Sequence, residues 1–180
     1  ILVASVVAIL YGALLAMTQR DLKRLVSYSS IGHLGFIMLG IFALTPEAAQ
    51  GAAMSIVNSG ITTTALFLLA GALEDRTGRT DLEAFGGLAR HAPWFALALT
   101  VSVLSTIGLP GTNGFVGEFL VLFGTFLAKP WFALVATTGV IFAAAYGLRG
   151  VQRLLFARPS EISSSVRDLA GGERLALAQP

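Results

Sequence analysis

A break inside a long apolar run is the strongest constraint on this chain. Residues Ile107–Phe119 read IGLPGTNGFVGEF and lie within an apolar segment that extends from Trp94 to Ala128. Gly108, Pro110, Gly111, Gly114 and Gly117 interrupt what would otherwise be one continuous membrane helix. Pro110 has no backbone donor and a ring that clashes with the preceding turn, and each glycine weakens a helix interior by ~1 kcal/mol relative to alanine. Non-helical backbone at membrane depth survives only when buried in protein or lining a water-filled cavity. Directly after the break comes Glu118, the single acid of that apolar segment. An ionisable residue at such depth marks a functional site by default, and a broken helix carrying a buried carboxylate points to an ion path.

The rest of the chain agrees with a membrane setting. Hydrophobic residues make up 55% and charged residues 12%, with a mean hydropathy of +0.78, too apolar for an ordinary soluble domain. There is no cysteine, which excludes a disulfide framework, a thiolate metal site and a cysteine nucleophile. The net charge of +2 does not indicate nucleic acid, because the basic residues cluster beside apolar runs instead of forming one soluble face. His33 and His91 fall in different environments, and neither metal-ligand spacing nor a phosphate-cradling loop occurs. A soluble hydrolase has no constellation to stand on, and no metal site is expected. The chain opens at Ile1 inside an apolar run without a basic leader, so it is expected to be an internal piece of a longer protein.

The pattern predicts an all-α, polytopic transmembrane helix bundle of about five spans, one of them discontinuous. Helices are expected at about 1–18, 25–44, 48–73, 93–128 (broken near 108–114) and 131–156, with 1–177 as a single transmembrane domain and 178–180 a truncated end. Gln19–Arg24 is a charged break at an interface. Thr45-Pro46-Glu47 has a capping Thr, Pro at the first helical position and an acid in the first turn, which reads as a helix start. Glu74–His91 is the longest internal polar stretch: the charges of Glu74–Arg79 read as a solvated connection, and Asp81–Phe85 is expected to form a short interfacial helix. Arg149 and Arg153 are placed to snorkel from the last span. The tail stays polar until Leu175–Leu177, where another apolar run begins.

Charge tests this topology. If the broken element crosses once, Arg20, Lys23, Arg24, Arg76, Arg79, Arg90, Arg149, Arg153, Arg158, Arg167 and Arg174 all fall on one side. Lys129 falls on the other with Glu47. The positive-inside rule makes the crowded side cytoplasmic. A re-entrant hairpin would carry the tail's arginines to the opposite side, so one discontinuous crossing is the better reading.

Several polar residues lie at depth. His33 sits near the middle of its span, with Ser29 and Ser30 one turn before it. An imidazole exchanges protons near neutral pH, although a neutral histidine held by interhelical hydrogen bonds explains the same residue. Gly51, Ser55, Ser59 and Thr63 recur every four residues, a stripe that allows close helix approach and offers hydroxyls; packing alone also accounts for it. Glu118 is a candidate proton carrier or, in the plainer reading, an anchor for the break. The free N–H groups at the start of the second half-helix favour negative charge nearby.

The runs QRDLKRLVSYSSIGHLGF, QGAAMSIVNSGITTTALFLLAGAL and IGLPGTNGFVGEFLVLFG, in this order and spacing, closely resemble the antiporter-like proton-pumping subunits of respiratory complex I, of the NuoM (chain 4) type. The resemblance covers essentially the whole chain. It implies roughly the ninth to thirteenth helices of a larger subunit, most of them in the second of two inverted repeats. It matches Glu118 to the family's essential ionisable residue on the broken helix and His33 to a relay histidine. Paralogous subunits and many cation/proton antiporter relatives carry lysine where Glu118 stands. The family's common histidine before the Ser/Thr-rich run is Ser59 here, which implies either that the usual central hydrophilic axis is interrupted at this point or that water bridges His33 and Glu118. Ser59, Asn58, Thr62 and Asn113 are the candidate water-organising groups. The family's buried lysines lie upstream of this segment, which implies that the piece holds the exit-side half of a channel.

The resemblance further implies a proton-translocating subunit of an NADH:quinone oxidoreductase in a bacterial inner (plasma) membrane, with the basic loops cytoplasmic. NADH, FMN, iron–sulfur clusters and quinone belong to sister subunits, and no cofactor is expected in this chain. Its partners would be the lipid bilayer, neighbouring antiporter-like and other membrane subunits, water and protons. A related cation/proton antiporter or membrane-bound hydrogenase subunit, and a non-conducting membrane scaffold, are the two alternatives.

Overall fold

The computed structural model describes residues 1–158 together with Ile162, Val166 and Asp168. The chain forms α1 (Leu2–Thr18), α2 (Leu22–Phe42), α3 (Pro46–Thr77), the short α4 (Leu88–His91), α5 (Pro93–Thr106), α6 (Asn113–Ala128) and α7 (Pro130–Val151). A π-helical turn, Gln152–Phe156, extends α7. Among the described residues α2, α3 and α7 with its extension are long and apolar enough to cross a membrane alone, and α1, α5 and α6 are shorter apolar helices. The apolar run expected at Leu175–Leu177, the end at 178–180, and Arg167 and Arg174 lie outside the described residues.

Local chemistry sets the helix ends, and it moves two of them beyond the expected bounds. Asp21 caps α2 by accepting from the backbone N–H of Arg24 at 2.9 Å, which brings Lys23 and Arg24 into the first helical turn. Thr45 caps α3 through the N–H of Ala48 at 3.3 Å, with Pro46 at the first position and Glu47 in the first turn. At the other end α3 runs on through Glu74 to Thr77 and stops where Gly78 turns left-handed, at φ +68°.

Asp81–Phe85 is not a helix. Asp81 instead pairs antiparallel with Asp21. The N–H of Leu22 donates to the Thr80 carbonyl at 2.9 Å, and the N–H of Leu82 donates to the Arg20 carbonyl at 2.7 Å. Backbone groups engaged across to Arg20 and Leu22 cannot also close a helical turn. The short helix of this connection lies further on, at α4. Nor is the connection merely solvated. Glu74 forms an ion pair with Lys23, and Glu83 lies 3.8 Å from Arg20 and 3.6 Å from Arg153. From the tail, Asp168 accepts from the N–H groups of Trp94 (3.2 Å) and Phe95 (3.1 Å) and so caps α5 from a distance in sequence.

The broken element crosses once. Gly124 of α6 packs on Ala48 at the start of α3, and Gly117 packs on Gly51 and Ser55. Asn113 meets Asn58 one turn further along. Phe95 and Leu99 of α5 share a core with Leu66, Leu69 and Leu73 towards the end of α3. The two half-helices therefore run antiparallel to α3 in sequence along its whole length. This gathers Arg20, Lys23, Glu74, Glu83 and Arg153 at one end of the bundle.

Apolar packing divides into two clusters among the described residues. The larger lies towards the basic end and includes Leu22, Leu25, Leu69, Phe95, Leu99 and Tyr146. The smaller lies towards Lys129 and joins Val6, Ile9, Phe36, Leu39, Ala52, Val121 and Ala136. On α2, α3 and α6 the polar candidates fall between the levels of these clusters. The outer faces expose large apolar side chains such as Val7, Ile56, Phe67, Leu97, Phe123 and Ile141. That exterior suits lipid and other apolar surfaces, not water, and the protein is an integral membrane protein.

The α3–α6 contact leaves no room for side chains. A methyl at Gly51 would lie 2.6 Å from the Val121 nitrogen and 2.8 Å from the Gly117 carbonyl oxygen, whereas one at Gly60 meets nothing within 4 Å. Gly51→Val is expected to destabilise the full-length protein by ~1–3 kcal/mol, the usual cost of overpacking, and Gly60→Ala to leave it unchanged or slightly firmer. Thermal unfolding of the two purified variants in detergent checks this contrast.

Candidate functional site

The site starts at the end of α5. Gly108, at φ +64°, takes the left-handed position after the helix. Its N–H donates to the Ser105 carbonyl at 3.2 Å and the N–H of Leu109 to the Leu104 carbonyl at 3.1 Å, the paired bonds of a Schellman ending. Pro110 follows where no helix can continue. Gly111, at φ +99°, completes the turn in a conformation that L side chains rarely adopt. Thr112 then leads into α6 without a side-chain cap on its first turn. Gly114 tucks against the Ser105 carbonyl so closely that a Cβ could not fit, and the half-helices overlap end to end.

Hydrogen bonds from α3 hold this overlap. The Asn58 amide donates to the Asn113 carbonyl at 2.6 Å, and the Asn113 amide donates back to the Asn58 side-chain oxygen at 3.2 Å. Ser105 donates to the remaining Asn113 side-chain oxygen. Thr62 donates to the Asn58 backbone carbonyl at 2.8 Å. Asn58 and Asn113 therefore clamp the break across helices, spending most of their polar capacity on protein groups.

Glu118 stands in the second turn of α6 and its side chain reaches back towards the break, as helical side chains do. A Cβ at Gly108 would collide with its carboxylate. On the other side His33 Nδ1 lies 3.5 Å from Glu118 Oε1, with the two side chains only 11% and 14% exposed. The carboxylate is thus set between the left-handed glycine and an imidazole rather than on the free N–H groups of the first turn of α6, whose field fades within that turn. His33 Nε2 is buried without a hydrogen-bond partner among the described protein atoms.

Around this pair is a small cavity of about 10 Å³, bordered by His33, Ser55, Ser59, Thr62, Thr106 and Glu118 among others. That is space for about one water centre. Ser59 therefore borders the site, although it is only half-buried. The buried line of α3 is Gly51, Ser55, Asn58, Thr62, Leu66, which follows the true helical period of 3.6. A strict four-residue stripe drifts around the helix, so Ser59 and Thr63 fall partly off the contact. Pro110 and Gly111 sit at the exposed tip of the break and shape it without bordering the cavity.

Sequence reasoning missed Ser105, Thr106 and Tyr146. The first two had a signal in their position, hydroxyls in the last turn before a glycine. Tyr146, a lone phenol in an apolar helix, had none. Among the described residues no three His, Asp or Glu side chains converge as metal ligands would.

A protein-family model described as "NADH:quinone oxidoreductase/Mrp antiporter, TM" matches residues 1–143. The chain belongs to this family. It is 39% identical over 179 residues to NADH-quinone oxidoreductase subunit M of Rhodobacter capsulatus, covering 99% of this chain and 35% of that protein. It is also 39% identical to the F(420)H(2) dehydrogenase subunit M of Methanosarcina mazei over 163 residues, 91% of this chain and 33% of the other. In structure it resembles a chain of respiratory complex I from Thermus thermophilus with bound NADH, with a TM-score of 0.91 and 41% identity over 98% of this chain and 37% of that one. The chain thus spans about a third of the length of the curated relatives it matches.

Within this antiporter-like segment the amide clamp has a measurable role. Asn58→Leu removes both bonds to Asn113 and is expected to destabilise the full-length protein by ~1–3 kcal/mol, since each lost bond is worth ~1 kcal/mol and leaves a polar partner unmatched. Ser105→Ala, which removes a single bond, is expected to cost less. The melting temperatures of both variants in one detergent test the order.

Proposed function

We propose that this segment carries protons across the membrane as part of a subunit of an NADH:quinone oxidoreductase, with Glu118 as the proton-loading group and His33 as its relay. The observation that carries this reading is the His33–Glu118 pair, Nδ1 to Oε1 at 3.5 Å, beside a helix break and a water-sized cavity. The proton can sit on the Glu118 carboxyl, with Nδ1 of a neutral His33 facing it, or on His33 Nδ1, with a carboxylate opposite. A small side-chain rotation brings the two atoms to hydrogen-bond distance, and the proton then passes along that bond.

Whether the centre holds this proton at all depends on nearby charge. A unit charge arriving ~10 Å away contributes about 1.7 kcal/mol at an effective dielectric constant of ~20. That exceeds the ~1.4 kcal/mol that corresponds to a tenfold population change. Movement of a charged group in an adjoining part of the protein is therefore enough to load or unload the centre, which is how a redox reaction elsewhere drives it. Ser59 and Thr62 order the water that hydrates the pair, while Asn58 and Asn113 keep the break in shape. NADH, FMN, iron–sulfur clusters and quinone bind to sister subunits in this reading. The neighbours are lipid and further membrane subunits, the membrane is the bacterial inner membrane, and the basic end faces the cytoplasm.

A second reading changes only the driving reaction. The F(420)H(2) dehydrogenase relative is as similar as the Rhodobacter capsulatus one, so a related oxidoreductase or antiporter would use the same centre.

Proton pumping and electron transfer measured together on the assembled complex test the proposal. Glu118→Gln keeps the side chain's size and removes its exchangeable charge. The expected result is assembly with pumping lost. Wild-type pumping by that variant rules the proton role out and leaves the segment a scaffold.

A further inference from the structure

Tyr146 is a buried titratable group that the proposed mechanism does not use. It lies on α7, 4% exposed, shares the wall of a cavity with Ser29 and is within electrostatic reach of Glu118. Ser29 donates its own hydroxyl proton to the Val26 carbonyl at 2.7 Å. Its oxygen is left to accept from water in that cavity, and the phenol hydroxyl can both donate to water and accept from it. Ser29 is one helical turn before His33, on the same face of α2.

Behind the phenol is a second cavity of about 20 Å³, with Ser29, Thr106 and Tyr146 as its polar wall and Leu22, Leu25 and Leu99 among the apolar lining. Leu22 belongs to the first turn of α2, beside the Lys23–Glu74 pair, so the cavity leads towards the basic end. Thr106, the last residue of α5, borders this cavity and the one around Glu118. Thr106, just before the helix break, is thus a wall that the two voids share. An apolar lining with few polar groups holds water weakly, which suits a passage that wets and dries.

Towards Lys129 the helices around the centre pack closely. A methyl at Gly40 would lie 2.8 Å from the Ala48 carbonyl oxygen, and one at Gly117 would lie 3.2 Å from the Ser55 nitrogen. Backbone against backbone at that range leaves no width for water between α2 and α3 or between α3 and α6 at these crossings.

We propose that the Tyr146 hydroxyl is the step through which the Glu118–His33 centre exchanges protons with the basic end of the bundle, by way of the cavity bordered by Ser29, Thr106 and Leu22. The inference rests on the proton role of Glu118 and adds the face from which that group is reached, which is the basic, cytoplasmic end and not the exit side that the family resemblance implies. Tyr146 acts here as a positioning and relay residue: its hydroxyl orders the water that bridges the two cavities.

The test uses the assembled complex in sealed vesicles. Tyr146→Phe removes only the hydroxyl and keeps the ring in its packing. It is expected to lower pumping about tenfold or more and to slow hydrogen–deuterium exchange of the Glu118 carboxyl, followed by its infrared band. Gly150→Val is a second, independent variant. Gly150 borders the cavity, and a Cβ there meets only the Leu25 side chain at 3.7 Å, so valine fills the passage without disturbing backbone. It is expected to reproduce both effects with the phenol intact, which a purely structural role for Tyr146 would not do. Wild-type pumping and exchange in Gly150→Val, or in an assembled Tyr146→Phe, overturns the inference. If Glu118→Gln abolishes pumping in the same preparation, the proposed function survives that outcome; if Glu118→Gln pumps normally, the proposed function falls first and the inference with it.

Discussion

A carboxylate at membrane depth is the constraint around which the rest of this structure is arranged. Left alone, Glu118 would carry a desolvation cost of several kcal/mol when charged. The chain meets it by placing His33 opposite, wrapping the left-handed Gly108 around its other side and leaving a water-sized space alongside. The break that makes this arrangement possible would itself expose unpaired backbone. The Schellman ending of α5 and the amide clamp from Asn58 satisfy most of that demand.

Packing concentrates polarity in one layer. The apolar cluster towards the basic end and the smaller one towards Lys129 lie on either side of it. Glycines let α2, α3 and α6 approach until backbone touches backbone on the Lys129 side. On the basic side Tyr146, Ser29 and Thr106 border a void. The surroundings of the centre thus differ between the two ends of the bundle. Ion pairs and the Asp21–Asp81 bridge fasten the basic end, where charges can be hydrated, while the layer at depth relies on hydrogen bonds.

The centre is also local to this segment. His33, Asn58, Ser105, Asn113 and Glu118 come from helices that all lie within a third of the length of the related subunits. Relatives named for different oxidoreductases share the same 39% identity with it. The proton unit proposed above, driven by whatever reaction its neighbours perform, would account for both facts.

The sequence by itself determined the membrane class, the places where helices stop and the presence of an acid beside a break. These follow from local rules: apolar run length, the missing N–H of Pro110, the left-handed tolerance of Gly108, and caps at Thr45 and Pro46. Asp81–Phe85 was misread because the partner that straightens it, Arg20–Leu22, is distant in sequence. Ser59 looked equivalent to Asn58 for a similar reason: a four-residue repeat in the sequence is not quite the period of the helix. The 3.5 Å approach of His33 to Glu118, the reciprocal amides of Asn58 and Asn113, and the place of Tyr146 behind Ser29 were decided by the tertiary structure alone. Each depends on which helix faces flank α6 and α7, and that choice is made by close packing of glycines and apolar side chains across the bundle, not by any residue's immediate neighbours.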